Sequence, residues 1–268
     1  MRLAKEGAAG KMSILEQFRL DGKAAVVTGA GKGIGRAIAI ALAEAGADVA
    51  LASRTQSDLD DAASEIESLG RRALPFATDA TDFEALQRLA EETIAKLGKL
   101  SIWVNNAGGI PDSSPRYLTR TSEDQFAAQI DLNLKAVWMG ANVAAKAMGD
   151  EGGAIINISS RSAFGPQVKN GPYGAAKAAV NSLTSTLSVE LAPKIRVNAI
   201  APGPVPTENF NECMGTETDE QREKLLEMIG VPLRRYGTPE DIAAAVVYMA
   251  SPASSWVTGQ CLYVTGGR

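Results

Sequence analysis

Residues Ala24 to Gly35 read AAVVTGAGKGIG, and this stretch decides the fold that the sequence predicts. Its first part, Ala24 to Thr28, is a short apolar and β-branched run, which is typical of a strand buried on both faces. A glycine loop follows, and Arg36 to Ala45 (RAIAIALAEA) then has a helical composition and stops at Gly46. The stretch therefore predicts a strand, a glycine loop and a helix in succession.

The alternation of short apolar runs and helical segments continues to the end of the chain. Further strands are predicted at Asp48–Ala52, Ala73–Ala77, Ser101–Val104, Ala154–Ser159, Ile195–Ala199 and Cys261–Val264. Helices are predicted at Gln56–Leu69, from a capping box at Thr81–Glu84 to Leu97, at Glu123–Met148, at Tyr173–Leu191 and from Thr238 to Ala250. This order predicts a single-domain doubly wound (Rossmann) α/β fold over residues 13–268, with a seven-stranded parallel sheet and helices on both faces.

Two segments do not follow this alternation. Residues 1–12 are small and polar, and we predict a disordered N-terminal extension. Residues 208–230 form a polar, partly helical insertion that carries Phe210, Met214 and Met228 among many charges. We interpret this insertion as a lid that closes over an apolar substrate.

The composition excludes several classes of function. The chain has 268 residues, a net charge of −4 and no histidine. The charge balance and the scattered basic residues favour neither nucleic acid nor an anionic membrane as a partner. Without histidine, Ser-His-Asp and Cys-His hydrolysis and the usual zinc sites are excluded, and Cys213 and Cys261 do not make a metal cluster. Since no apolar run approaches the roughly 20 residues of a membrane helix, we expect a cytoplasmic enzyme without a metal.

The glycine loop follows the pattern Thr-Gly-x-x-x-Gly-x-Gly, formed by Thr28, Gly29, Gly33 and Gly35. Glycine lets the backbone approach a diphosphate closely, and the N-terminus of the next helix contributes N–H donors and a partial positive charge. Because the loop lies between a buried strand and a helix, it predicts a dinucleotide-binding site.

The end of the second predicted strand indicates which dinucleotide is used. Enzymes that bind NAD usually hold an acid there for the ribose 2′-hydroxyl. Here the residues are Ser53 and Arg54, and a guanidinium is suited to the 2′-phosphate of NADP. Lys32 in the glycine loop adds a second cation. The sequence therefore favours NADP(H) over NAD(H).

Residues 173–177 read YGAAK and predict acid–base chemistry. Positions i and i+4 share one face of a helix, so Tyr173 and Lys177 present a phenol and an ammonium to the same place. A neighbouring cation lowers the pKa of a phenol, which is otherwise about 10. Alone this pair is a weak signal, because most such pairs are a packed aromatic ring beside a solvated lysine.

Together the motifs resemble the classical short-chain dehydrogenase/reductase family over roughly residues 20–267. The resemblance is carried by the glycine loop, Asp79, Asn105-Asn106-Ala107-Gly108, Asn133, Ser160, Tyr173 with Lys177, and Pro202-Gly203 followed by Thr207. All of these motifs at the family's spacing are specific, although each alone is weak. Within the family the chain is most similar to bacterial 7-alpha-hydroxysteroid dehydrogenases and actinobacterial short-chain reductases.

The resemblance implies a role for each residue of the candidate site. Tyr173 would be the general acid in reduction and the base in oxidation, and Ser160 would hydrogen-bond the substrate oxygen. Lys177 would lower the pKa of Tyr173 and hold the nicotinamide ribose, and Asn133 would kink its helix and hold a water in a proton relay. The implied cofactor-binding set is Gly29, Gly31, Lys32, Gly33, Ile34, Gly35, Ser53, Arg54, Asp79, Ala80, Asn106, Ala107, Gly108, Tyr173, Lys177, Pro202, Gly203, Val205 and Thr207.

The resemblance also implies an NADP(H)-dependent carbonyl reductase that interconverts a small-molecule ketone and a secondary alcohol as a homotetramer or dimer. One alternative is a 3-oxoacyl-carrier-protein reductase, whose acidic carrier needs a basic patch for which we find only Arg234 and Arg235. An NAD-dependent hydroxysteroid dehydrogenase is a second alternative. A dinucleotide-binding protein without turnover is a third, which the intact set of predicted catalytic residues disfavours.

Overall fold

The computed structural model describes residues 12–112, 114, 116–216 and 218–267. In this part of the chain, seven parallel strands form one sheet in the order β3-β2-β1-β4-β5-β6-β7. The strands are β1 (Ala24–Thr28), β2 (Asp48–Ser53), β3 (Ala73–Ala77), β4 (Leu100–Asn105), β5 (Gly153–Ile158), β6 (Ile195–Pro202) and β7 (Cys261–Val264). The predicted doubly wound sheet is confirmed. The predicted disordered extension lies outside the described residues, apart from Met12.

Helices connect the strands and cover both faces of the sheet. They are α1 (Gly33–Glu44), α2 (Gln56–Ser68), α3 (Phe83–Leu97), α4 (Glu123–Ile130), α5 (Ala136–Met148), α6 (Gly171–Glu190), α7 (Glu208–Met214), α8 (Asp219–Ile229) and α9 (Pro239–Ala250). None of the described helices is long and apolar enough to cross a membrane. The insertion at 208–230 is largely helical, since it holds α7 and α8.

Two apolar clusters lie on opposite faces of the sheet. One joins α1, α2 and α9 to the sheet through buried side chains such as Ile38 and Val246. The other joins α3 and α5 through side chains such as Leu89 and Trp103, which are fully buried. Full burial of one such side chain contributes about 1.5–3 kcal/mol. This double burial explains why the central strands are mostly apolar on both faces.

The helix predicted over residues 123–148 has an irregular middle. A π-helical turn, Asp131–Lys135, joins α4 to α5. Such a turn widens the helix locally and is frequent at functional sites. Asn133 lies in this turn and is fully buried.

Three predicted boundaries are corrected by the structure. Asp82 is the N-cap of α3, because its carboxylate accepts from the Ala85 backbone N–H at 3.0 Å. The predicted cap, Thr81, instead donates its hydroxyl to Asp79 at 2.8 Å. Helix α6 begins at Gly171, before the predicted Tyr173, with a proline in its first turn. Strand β6 continues to Pro202, three residues beyond its predicted end at Ala199.

The strand order reverses between β1 and β4, and this reversal positions the site. The chain leaves β1 toward β2 on one side and leaves β4 toward β5 on the other. Loops after two such strands diverge and leave a crevice at their carboxyl ends. The predicted glycine loop and the segment after Asn105 therefore line the two sides of one crevice.

Candidate active site

The glycine loop turns sharply where it leaves β1. Gly29 and Gly33 have φ of 66° and 53°, the left-handed region that favours glycine. A Cβ on Gly35 would lie 2.0 Å from the Gly29 carbonyl oxygen and 2.4 Å from Asn106 Nδ2. The loop therefore packs so tightly that α1 begins directly above β1. Among the described residues, Lys32 caps α1 without a side-chain capping bond, so the helix N-terminus keeps N–H donors for an anion.

Gly35→Ala should weaken cofactor binding by about tenfold or more and lower the melting temperature, because overpacking against backbone costs several kcal/mol. Isothermal titration calorimetry with NADPH and NADH measures the cofactor affinity, and a thermal melt measures the melting temperature. Gly165→Ala is the matched control, since a Cβ there meets nothing within 4 Å. Equal behaviour of the two variants would contradict the tight packing of the loop.

Polar bonds hold the loop after β4 against the glycine loop. The Thr28 hydroxyl accepts from the backbone N–H groups of Asn106 and Ala107, each at 3.0 Å, and donates to Val104 O at 3.3 Å. The Asn106 amide donates to Thr28 O at 2.9 Å and to Gly29 O at 3.1 Å. Asn106 thus fixes the distance between the two sides of the crevice.

The crevice is a cavity of about 490 Å³. Its lining includes the predicted cofactor residues Gly29, Gly31, Lys32, Ser53, Arg54, Asp79, Ala80, Ala107 and Gly108. Its glycines admit close backbone approach, and its cations and free helix N-terminus suit phosphate. This donor set fits a dinucleotide. Other lining residues, among them Asp58, Thr78 and Leu132, were not predicted from the sequence, and only the fold brings them there.

Asp79 is held at the end of β3. Its carboxylate accepts from the backbone N–H and the hydroxyl of Thr81, both at 2.8 Å. The backbone bond from Thr81 and the nearby charge of Arg54 lower the pKa of Asp79, although partial burial opposes this. Asp79 is therefore an ionised acceptor oriented in the crevice.

Helix α6 places Tyr173 and Lys177 on one face, as predicted. The Lys177 Nζ lies 5.8 Å from the centroid of the Tyr173 ring and donates to Ile158 O at 2.8 Å. Lys177 is buried and Tyr173 is partly buried. Burial lowers the pKa of Lys177 to about 8. The ammonium thus titrates near neutral pH.

The electrostatics of Tyr173 differ from the prediction. Burial raises the pKa of Tyr173, a hydrogen bond with Ser160 lowers it, and the thiol of Cys213 raises it further. The net direction is upward, whereas we predicted a lowering by Lys177. The reason is desolvation of the phenol, which the sequence does not show. Ser160 follows β5, and its Oγ also accepts from the Ser162 backbone N–H at 3.1 Å.

Asn133 connects the crevice to this pair. Its Oδ1 accepts from the Gly109 backbone N–H at 2.9 Å, and its Nδ2 donates to Gly109 O at 2.8 Å. A Cβ on Gly108 would lie 3.0 Å from Asn133 Oδ1 and 3.2 Å from Lys177 Nζ. Gly108 therefore lies between the two side chains, where the dinucleotide crevice meets the acid–base pair.

The remaining predicted residues follow β6. The Gly203 backbone N–H donates to Val264 O at 2.9 Å, and Val205 is buried. The Thr207 hydroxyl accepts from the Phe210 backbone N–H at 3.3 Å and caps α7. A Cβ on Gly33 would lie 3.0 Å from the Thr207 methyl group. Thr207 thus joins the glycine loop to the insertion, while Ile34 packs on the core beneath.

The insertion packs on the body of the domain through aromatic side chains. The rings of Phe210 and Tyr236 meet edge to face at 6.0 Å, and the Tyr236 hydroxyl donates to Arg222 O at 2.6 Å. Cys213 of α7 comes near enough to Tyr173 to affect its pKa. The sequence did not indicate that Cys213 would lie near Tyr173, although its spacing from Phe210 and Met214 places all three on one face of α7.

The whole arrangement recurs in known proteins. A family model described as enoyl-(acyl carrier protein) reductase matches residues 29–268. An uncharacterized oxidoreductase of Mycobacterium tuberculosis is 44% identical over 258 residues, covering 95% of each chain. A short-chain type dehydrogenase/reductase from Mycobacterium marinum superimposes with a TM-score of 0.84 at 38% identity, covering 95% of this chain and 98% of that chain. The chain belongs to the short-chain dehydrogenase/reductase family.

Two further short-chain dehydrogenase/reductase structures contain cofactors. A 7α-hydroxysteroid dehydrogenase in complex with NADH and 7-oxo glycochenodeoxycholic acid has a TM-score of 0.85 and 38% identity, covering 94% of this chain and 96% of that chain. A dehydrogenase from Beutenbergia cavernae with bound NADP has a TM-score of 0.84 and 36% identity, covering 93% and 98%. As a member of the family, this protein is an oxidoreductase that acts on CH–OH groups with NAD(P). Within the described residues, no group of three or more His, Cys, Asp or Glu is arranged to hold a metal.

Proposed function

We propose that the protein interconverts a ketone and a secondary alcohol with NADP(H), and that Tyr173 is the acid in reduction and the base in oxidation. The observation that carries this proposal is the junction at Gly108. There the dinucleotide-fitting crevice ends against Lys177 and Asn133, beside Tyr173 and Ser160. In ketone reduction, a bound cofactor would therefore donate its hydride at the same place where Tyr173 donates its proton.

The cofactor, when bound, supplies or accepts the hydride. The protein's own residues move one proton and orient the substrate. Ser160 holds the substrate oxygen next to the Tyr173 hydroxyl, to which it is hydrogen-bonded. Lys177 provides a positive charge near the phenol, and Asn133 keeps the loop of Gly108 and Gly109 in place.

The proposed preference for NADP(H) rests on Arg54, on Lys32 and on the serine at position 53. Arg54 is exposed at the cavity wall, and its charge already affects Asp79. The test is a titration of the purified protein with NADPH and then with NADH. We expect tighter binding of NADPH, and tighter binding of NADH would contradict the preference.

Arg54→Asp should weaken NADPH binding by at least about tenfold and leave NADH binding within a factor of about two, since a charge-assisted bond to the 2′-phosphate is replaced by repulsion. Nicotinamide fluorescence on binding gives both dissociation constants. Arg88→Asp on α3 is the control, because Arg88 is exposed and its ion pair within the described part of the chain is with Glu84. Equal losses for both cofactors would mean that Arg54 does not contact the 2′-phosphate.

The substrate class that we favour is a small apolar ketone or alcohol. Cys213 of α7 lies near Tyr173, and the apolar side chains Phe210 and Met214 belong to the same helix. A steroid-like substrate is supported by the hydroxysteroid dehydrogenase relative. The carrier-protein alternative has weaker support, because Arg235 is engaged by Asp241 at 2.6 and 3.0 Å. A lid role for residues 208–230 and a cytoplasmic location stay predictions.

We propose a homotetramer, supported by exposed apolar side chains on two parts of the surface. These are Phe126, Trp138 and Val189 on α4, α5 and α6, and Trp256, Leu262 and Tyr263 near β7. The sedimentation coefficient of the wild-type protein should correspond to a tetramer, and that of Trp138→Glu should correspond to a smaller oligomer or a monomer. Ile94→Glu, on an exposed apolar position of α3, should leave the tetramer intact. A monomeric wild-type protein would refute the assembly.

A further inference from the structure

The part of the crevice lined by Arg54 combines positive and negative charges. Lys32 and Arg54 supply the cations that the sequence predicts for a 2′-phosphate. Asp58 and Asp79 line the same cavity, and Glu208 reaches Lys32 from α7. The local field is therefore less positive than the sequence alone indicates.

Asp58 supplies the acid that position 53 lacks. It is in the first turn of α2, the helix that directly follows β2. A Cβ on Gly31 would lie 2.9 Å from Asp58 Cβ, 3.1 Å from Ser53 Oγ and 3.7 Å from Asp58 Oδ2. The carboxylate thus packs beside Ser53 and against the glycine loop. An acid therefore lies at the proposed 2′-phosphate site, but it comes from the helix and not from the strand.

Asp58 also engages the cation of the glycine loop. Its Oδ2 lies 3.7 Å from Lys32 Nζ, and Glu208 Oε2 lies 3.4 Å from the same ammonium. These two carboxylates raise the pKa of Lys32, so the ammonium is fully charged and shared between them. The Asp58 side chain is 25% exposed and that of Glu208 is 82% exposed. Glu208 is the closer of the two and contributes most to the raised pKa of Lys32, whereas the charge of Asp58 is less exposed and is therefore screened less by water and salt.

We propose that Asp58 is a determinant of cofactor selectivity, whose carboxylate opposes a 2′-phosphate by repulsion and by holding Lys32. This inference rests on the proposed placement of the 2′-phosphate near Lys32 and Arg54. It concerns discrimination between the two cofactors and leaves hydride transfer unchanged. Arg54 attracts the 2′-phosphate and the nearby carboxylate of Asp58 repels it, so the preference for NADP(H) would be moderate.

The test compares the binding of NADPH and NADH to the wild-type protein, Asp58→Asn and Asp58→Ser. Nicotinamide fluorescence monitors the binding and gives each dissociation constant. Removing one partly exposed charge should lower the dissociation constant of NADPH by about fivefold and change that of NADH by less than about twofold. Asp61→Asn is the matched control, because Asp61 is exposed on the same helix and its loss changes the net charge equally. Thermal melts of all variants report folding.

The assignment of Asp58 would be overturned if its substitution changed the dissociation constants of both cofactors equally. It would also be overturned if Asp61→Asn increased the affinity for NADPH as much as Asp58→Asn does. The result is separable from the proposed preference for NADP(H). If the wild-type protein binds NADH more tightly, that preference is wrong, yet a selective NADPH gain in both Asp58 variants still supports this inference. If the wild-type protein prefers NADPH and the Asp58 variants keep its ratio of affinities, only this inference fails.

Discussion

Tyr173→Phe should lower kcat by about 10³-fold while leaving the affinity for NADPH unchanged. The substitution removes one hydroxyl, the group that the proposed mechanism uses to give or take a proton. The ring, its packing and the 5.8 Å approach of Lys177 Nζ remain. Steady-state kinetics of ketone reduction and a cofactor titration measure the two quantities separately.

Tyr263→Phe is the matched control, because Tyr263 is exposed and stacks on Phe164 with a centroid distance of 4.2 Å. It should retain full activity.

The pH dependence of the wild-type oxidation rate is a second test of the role of Tyr173. Because burial raises the pKa of Tyr173, the phenolate needed for oxidation is scarce at neutral pH, so the oxidation rate should rise with pH. Substantial turnover by Tyr173→Phe, or an oxidation rate that falls with pH, would place the acid elsewhere.

Lys177→Met should lower kcat/KM by about 10²-fold, because it removes a buried charge beside the reacting oxygen and the junction at Gly108. Methionine has a similar length and no charge, so the site stays filled. The protein should not lose stability, since burying an ammonium is unfavourable, which offsets the loss of its bond to Ile158 O and of its contact with the Tyr173 ring. Kinetics and a thermal melt test these expectations.

The pH dependence of cofactor binding distinguishes a charge effect from a packing effect. Since burial lowers the pKa of Lys177 to about 8, the ammonium fraction falls as pH rises through that value. Wild-type affinity for NADPH should therefore fall between about pH 7 and 9, and Lys177→Met should show no such fall. Lys146→Met, at an exposed position of α5, should behave as wild type. A pH-dependent affinity in Lys177→Met would assign the titration to another group.

Much of the fold was predictable because both faces of the sheet are buried. A strand such as Ala24–Thr28 must then be apolar throughout, and the glycines that end each unit are visible in the sequence. The π-helical turn at Asn133 was not visible in the composition, since its neighbours have ordinary helical composition, and only the family resemblance implied an irregular helix there. The cap of α3 was misassigned because Thr81 and Asp82 are both good caps, and Thr81 is engaged by Asp79 instead.

The residues of the candidate site were predictable from the sequence. Their pKa shifts and the charged groups that surround them were not. Tyr173 and Lys177 are one helical turn apart, so their proximity follows from the sequence alone. Burial of the phenol depends on segments distant in the sequence. The predicted downward shift of the Tyr173 pKa was therefore wrong. The same holds for Asp58 and Glu208, whose proximity to Lys32 arises only when the helices pack around the glycine loop.

The hydroxyl of Thr28 has a consequence for binding thermodynamics. One oxygen accepts two backbone N–H groups from the loop after β4 and donates to the end of that strand. The two sides of the crevice are therefore fixed before any ligand arrives. A ligand that enters this crevice need not order the loops that receive it, so little conformational entropy is lost there on association. The affinity for the adenosine half of a dinucleotide should accordingly depend on enthalpic contacts more than on loop closure.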